Sequence, residues 1–373
     1  MTATRAPLGH MPQLDSLRAI AVGGVLLRHF WPPTAEVAET GFMGVHLFFV
    51  LSGFLITGIL LKARAAVDSE IATAGFSLRR FYLRRFLRIF PLYYLVLLIA
   101  WLTDVPGARG AMAWHLTYLT NIHNFVMHTT SGRMAPYWSL AVEEQFYLVW
   151  PWVVLFAPLE RLPGIVLGAV AAAPIFRLVM LLLTGNDQAP ILPVSCLDSL
   201  GLGAYIALGS TAALAGHRLV RPIGRRAVLA GLALFAVYQA ALWTDTALVL
   251  RLVIFNLAIA LPSAWVIERA SRGFGGWPGR VLMWAPLRWI GTISYGLYVI
   301  HLLLPYLLPW AAKHLGARGL FDGLGTGEVV SIWYPVFYSM ASVAIAALSW
   351  YAFEGPINRL KDRFAYRVTK EEG

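Results

Sequence analysis

Long uninterrupted runs of apolar residues recur near positions 14–31, 42–61, 89–103, 138–157, 164–183, 195–215, 227–243, 247–267, 289–310 and 332–353. Each is close to the roughly 20 residues a helix needs to cross a hydrocarbon core. The runs lack the short alternation of apolar and polar positions expected of barrel strands, the other way a chain can satisfy its backbone in lipid. The pattern therefore predicts an all-α integral membrane protein of about ten transmembrane helices, with both termini on one side. On that side the longest connection is Lys62–Arg88, where Arg79, Arg80, Arg84, Arg85 and Arg88 alternate with aromatic and aliphatic residues. It predicts a basic amphipathic helix lying at the interface. On the opposite side the longest connection is 104–137, which carries several histidines and aromatic residues.

Charge placement orients this pattern. Most of the 30 Lys and Arg fall on alternate connections, on the side of the termini, while the other side carries Arg109, Arg133, Lys313 and Arg318. That asymmetry predicts cytoplasmic termini. Composition agrees, with 58% of residues hydrophobic and 13% charged, against about 45–50% and about 25% in soluble domains. An ordinary soluble enzyme and a disordered chain are both excluded. The formal charge of +11 is accounted for by the same placement and gives no ground for a nucleic-acid partner. A single cysteine, Cys196, can form no internal disulfide, and no Cys/His spacing suits a metal. Residues 1–13 lack the layout of a cleaved signal peptide, so the first helix is expected to be retained. Residues 1–373 are expected to form one transmembrane domain without an appended soluble domain, with the lipid bilayer as its surroundings.

Titratable residues inside spanning helices are costly, about 2.5–3.5 kcal/mol each, and so are candidates for function. The first helix carries Asp15, Arg18 and His29. Arg18 and His29, eleven residues apart, share a face and are separated by about 16 Å along the axis, the length of an extended pantetheine arm. Alternatively, Arg18 snorkels to headgroups and His29 marks a helix end. Arg84, Arg85 and Arg88 form a fork suited to bidentate phosphate contacts, or serve as interfacial anchors. Glu143 and Glu144 open the fourth helix, where they could equally complement its dipole. Ser294 and His301 lie on one face of the ninth helix, His301 being also readable as a satisfied core histidine. Glu354 ends the tenth helix before Gly355 and Pro356, ordinary helix stoppers, and could pair with the inner arginines.

Several of these motifs together resemble the membrane-bound acyltransferase family 3, over nearly the whole chain. They are Leu14–Ala19 with His29, Gly44–Phe54, Arg85-x-x-Arg88, Ser139–Tyr147, Ser294–His301 and Glu354-x-Pro356. The resemblance implies ten core helices and transfer of an acyl group, commonly acetyl from acetyl-CoA, to a hydroxyl of a carbohydrate or other membrane-accessible acceptor. It also favours a bacterial inner membrane. On that reading His29 is the general base, with Glu143 or Glu144 orienting its imidazole or binding acceptor. Arg18, Arg84, Arg85 and Arg88 hold the donor phosphates, and Asp15, His301 and Glu354 support the site. No metal is expected. A small secondary metabolite as acceptor and, in another class, a transporter or flippase remain open alternatives.

Overall fold

The computed structural model describes residues 11–31, 39–241, 244, 247–317, 319–321 and 333–364, and the chain is helical throughout them, without strands. The main helices are α1 (Pro12–Phe30), α2 (Thr40–Asp68), α3 (Ala74–Leu102), α4 (Tyr137–Phe156) and α5 (Leu162–Thr184). They are followed by α6 (Leu197–Gly209), α7 (Arg225–Ala241), α8 (Ala247–Arg272), α9 (Ala285–Ile300) and α10 (Trp333–Ser349). Within the described residues every predicted apolar run thus falls on a helical segment; positions 242, 243 and 332 of those runs lie outside the described residues. Among the described residues, six helical stretches are long and apolar enough to cross a membrane: those containing α2, α3, α5, α8, α9 and α10. The helices that carry the candidate chemistry in α1 and α4 are outside that set, because charged and polar side chains interrupt their apolar surface.

α1 packs chiefly against α2 and α9. Pro12 at its start tolerates the missing N–H, and Asp15 in the first turn with Arg28 and His29 in the last complement the dipole. Its foot is pinned by Gln13, whose Nε2 donates to Phe274 O at 3.1 Å and whose Oε1 accepts from Phe274 N at 2.7 Å. Ser16 Oγ donates to Leu282 O at 2.7 Å. Close backbone approach fixes its neighbours, as expected where lipid supplies no hydrophobic drive between helices. A Cβ at Gly44 of α2 would sit 2.3 Å from Ala21 O, and one at Gly291 of α9 only 1.8 Å from Asp15 O. α6 packs as tightly on α2, since a Cβ at Gly53 would lie 1.9 Å from Leu200 O. The core runs through these helices, including Leu17, Val22, Phe49, Phe54, Leu200 and Leu297, while Leu148, Ile175 and Leu183 expose apolar surface outward.

Two expectations need correction. The stretch around Arg79–Arg88 is not a separate interfacial helix: α2 continues to Asp68, and α3 is one helix of 29 residues whose first half is basic and second half apolar. Thr73 caps it, its side chain accepting from Phe76 N at 3.1 Å, and Pro91 is accommodated within it. The sixth run, expected to reach 215, ends as an α-helix at Gly209 and gives way to a short 3-10 turn at Ala212–Leu214.

Candidate active site

Two cavities lie along α1. The first, about 260 Å³, is walled by Arg18 of α1, Ser52 of α2, Arg85 and Arg88 of α3, Glu143, Glu144 and Tyr147 of α4, and Ser294, Tyr295 and Tyr298 of α9. The continuous α3 holds Arg85 and Arg88 one turn apart, and Tyr295 Oη donates to Ile89 O at 2.7 Å, which ties α9 to that turn. Glu143 faces Ser52, Tyr147, Arg85 and Arg18, and Arg85 also acts on Glu144. Ser52 and Tyr147 share a short hydrogen bond, and the Arg85 guanidinium lies 5.8 Å from the Tyr147 ring centre. Asp15 braces Arg18 from one turn below at 3.8 Å. Glu354, buried and accepting from Ser349 Oγ at 2.9 Å, faces Arg88. Arg18, Arg85 and Arg88 present three planar guanidinium forks to the cavity, a geometry that matches phosphate oxygens.

The second cavity, about 320 Å³, lies at the other end of α1 and is lined by Arg28, His29, Asn124, Trp138, Gln188 and Arg251 among others. Its wall includes residues of the connection 104–137, so that loop covers the His29 end. Val45 and Tyr298 line both cavities. They form the common wall between the arginine cluster and His29.

His29 is met by another histidine. His301 Nε2 and His29 Nδ1 are 2.9 Å apart, and His301 Nδ1 lies 2.7 Å from Tyr298 O. A carbonyl can only accept, so His301 Nδ1 carries the proton; with both rings neutral, His301 Nε2 then accepts from His29 Nδ1–H. His29 Nε2 is left with its lone pair. The backbone of Tyr298 thus sets the tautomer of His301, which sets that of His29, leaving the second nitrogen of His29 able to take a proton.

The sequence matches the family model for type 3 acyltransferases, described as an acyltransferase domain, over residues 11–351. The chain belongs to this acyltransferase family. Peptidoglycan O-acetyltransferase OatA of Listeria monocytogenes is 28% identical over 377 residues, covering 95% of this chain and 57% of that protein. YrhL of Bacillus subtilis is 28% identical over 375 residues, 93% of this chain and 55% of its own length. O-acetyltransferase OatA of Staphylococcus aureus is 34% identical over 161 residues, 39% of this chain and 25% of that protein. The chain therefore spans little more than half the length of the first two relatives. No solved structure matches it.

Within this family member, the structure gathers Arg18, Arg85, Arg88, Glu143 and Glu144 in one cavity, with Asp15 and Glu354 behind the arginines. It separates the carboxylates from His29, which lines the other cavity. The expected pairing of His29 with Glu143 or Glu144 is replaced by His301, because α4 packs on α2 while α9 lies directly against α1. Arg84 turns away from the cavity: its Nη1 donates to Lys361 O at 2.7 Å and Phe364 O at 3.3 Å, fixing the segment after α10. Ser52, Tyr298, Arg28 and Arg251 were not singled out as site residues by the sequence. Arg28 and Arg251 carried a signal, being charges in apolar runs; Tyr298 carried none of its own.

Proposed function

We propose that the chain is a multi-pass O-acyltransferase of a bacterial cytoplasmic membrane. It moves an acyl group, acetyl foremost, from acyl-CoA to a hydroxyl of a glycan. The observation that carries this reading is the pair of cavities sharing Val45 and Tyr298, one holding the arginine cluster and the other the histidine pair. The relatives named as O-acetyltransferases support the acyl donor and glycan acceptor. With the arginine end facing the cytoplasm, as the basic connections favour, Arg18, Arg85 and Arg88 hold the CoA phosphates. Glu143 and Glu144 order these guanidiniums. The arm reaches past Tyr298 and brings the thioester to His29, about 16 Å along α1.

In this mechanism His29 Nε2 takes the acceptor's hydroxyl proton as the oxygen attacks the thioester carbonyl. The imidazolium keeps its Nδ1–H bond to His301 Nε2, a neutral acceptor that holds the ring in place. The tetrahedral adduct collapses with cleavage of its carbon–sulfur bond, and the departing CoA thiolate receives from His29 the proton that the acceptor gave up. The acceptor leaves as its ester.

Calorimetry of acetyl-CoA with the purified protein tests the donor site. Wild type is expected to bind, and the Arg85→Ala, Arg88→Ala double variant to bind at least about tenfold more weakly, the effect of losing one charge-assisted contact. Release of free CoA only when acceptor is added then separates an enzyme from a carrier. No binding by folded wild type, or unaltered binding by the variant, would overturn the assignment.

A further inference from the structure

The chain after α10 turns back against the basic half of α3. A π-turn over Trp350–Glu354 leads into a short helix, Gly355–Arg359, and a 3-10 turn, Leu360–Phe364. Both ends of this segment are fixed. Glu354 is seated against α9, where a Cβ at Gly296 would lie 2.7 Å from its Oε1. At the other end two arginines of α3 hold the segment by its carbonyls. Arg84 Nη1 donates to Lys361 O at 2.7 Å and Phe364 O at 3.3 Å, and Arg80 Nη1 to Arg363 O at 3.2 Å. The Arg80 guanidinium also lies 4.8 Å from the Phe76 ring centre and 5.3 Å from that of Phe364. These contacts fix the backbone of Lys361 and leave its side chain uncommitted. Its ammonium faces Arg88, Arg84, Asp362 and Arg85, and among the described residues Nζ makes no hydrogen bond or ion pair. Lys361 lies beyond the family match, which ends at residue 351.

CoA carries two anionic groups, a pyrophosphate joined to the pantetheine and a phosphate monoester on the ribose 3′-oxygen, across that sugar. Such a monoester bears about −1.5 to −2 charge at neutral pH. Planar forks suit the pyrophosphate oxygens, whereas a compact ammonium with rotatable donors suits a tetrahedral monoester met from the solvent side. Arg88 lines the donor cavity, and half-buried Lys361 stands beside it, outside that lining. A donor whose pyrophosphate is held by Arg85 and Arg88 therefore has a further cation at hand for the group one ribose away. We propose that Lys361 binds the ribose 3′-phosphate of CoA and so selects CoA over donors that carry phosphopantetheine without it. This inference rests on the reading of Arg18, Arg85 and Arg88 as the donor site.

Acetyl-CoA and 3′-dephospho-acetyl-CoA differ only in that phosphate, and calorimetry with the purified full chain in uncharged detergent compares them. Wild type is expected to bind acetyl-CoA about tenfold or more tightly, the effect of one charge-assisted contact. Lys361→Gln should weaken acetyl-CoA to the level of the dephospho thioester and leave the latter as in wild type. That pattern separates a lost contact from a damaged fold, since damage weakens both. Lys361→Arg should keep most of the preference. Equal binding of the two thioesters by wild type, a preference that survives in Lys361→Gln, or equal weakening of both by that variant would overturn the assignment while leaving the donor site in place. Phosphatidylglycerol bound by wild type and lost by Lys361→Gln, with no preference between the thioesters, would give the ammonium to a lipid headgroup instead. If folded wild type binds neither thioester, the donor site itself is rejected, and this inference with it.

Discussion

At the scale of single residues, the proposed role of His29 draws on a partner from another helix. A general base must present a lone pair, and a lone imidazole interconverts between two tautomers. The bond to His301, whose own proton is committed to Tyr298 O, selects the useful one. His29→Ala is expected to lower the transfer rate about 10²–10⁴-fold. His301→Ala should cost less and should act on kcat with little change in KM for either substrate, because His301 touches His29 and orients it. His301→Gln, which can still accept at that position, should recover part of the loss. A fall in KM-controlled binding alone, with kcat intact, would reduce His301 to packing. Steady-state kinetics of the three variants decide this. His29 was legible from its place in an apolar run and its distance from Arg18. Its partner was not, because the hydrogen bond joins residues 272 positions apart and the nearer-looking carboxylates of α4 offered a more familiar pairing.

At the scale of elements, the site depends on helices that approach almost backbone to backbone. The buried pair Arg177–Asp198 does similar service between α5 and α6: its N···O distance is 2.7 Å, both side chains are fully buried, and Arg177 also donates to Val253 O of α8 at 2.9 Å. Asp198 Oδ1 accepts from Ser199 N at 2.8 Å, and Ser199 Oγ meets His46 Nδ1 of α2 at 2.8 Å. Removing one member of a buried pair strands the other charge, at a cost of about 3–5 kcal/mol. Arg177→Met should therefore lower the melting temperature sharply in detergent, and the Arg177→Met, Asp198→Leu double variant should recover much of it; equal melting of single variant and wild type would deny the pair any structural part. Helix positions were well marked by the long apolar runs. The joining of the basic segment to α3 was not, since positive charge followed by an apolar run reads equally as an interfacial helix and a span; the Thr73 cap and the short Ser69–Thr73 link decide it.

At the scale of the whole molecule, the proposed donor and acceptor sites fall in two cavities at opposite ends of α1 with one wall in common. Charge pattern alone made both ends visible, as arginines near one terminus of the helix and a histidine near the other. That they open into separate cavities was hidden, because a shared wall is built by Val45 of α2 and Tyr298 of α9, neither of which has chemistry that a sequence displays. If the acyl group must pass that wall, its width governs turnover independently of either binding step. Val45 is buried, at 7% exposure, and replacing it by Trp would fill the junction while leaving Arg18, Arg85 and Arg88 in place. Val45→Trp is expected to bind acetyl-CoA near wild-type affinity and to lose about 10²-fold or more in acyl transfer, since misplacement of about 1 Å already costs that much in oriented reactions. Val45→Ala, which widens the junction, should retain transfer and could admit a bulkier acyl group. Donor binding with undiminished transfer in Val45→Trp would mean that the acyl group reaches its acceptor by a route other than the wall between the cavities, and His29 would then lose its claim to the reaction.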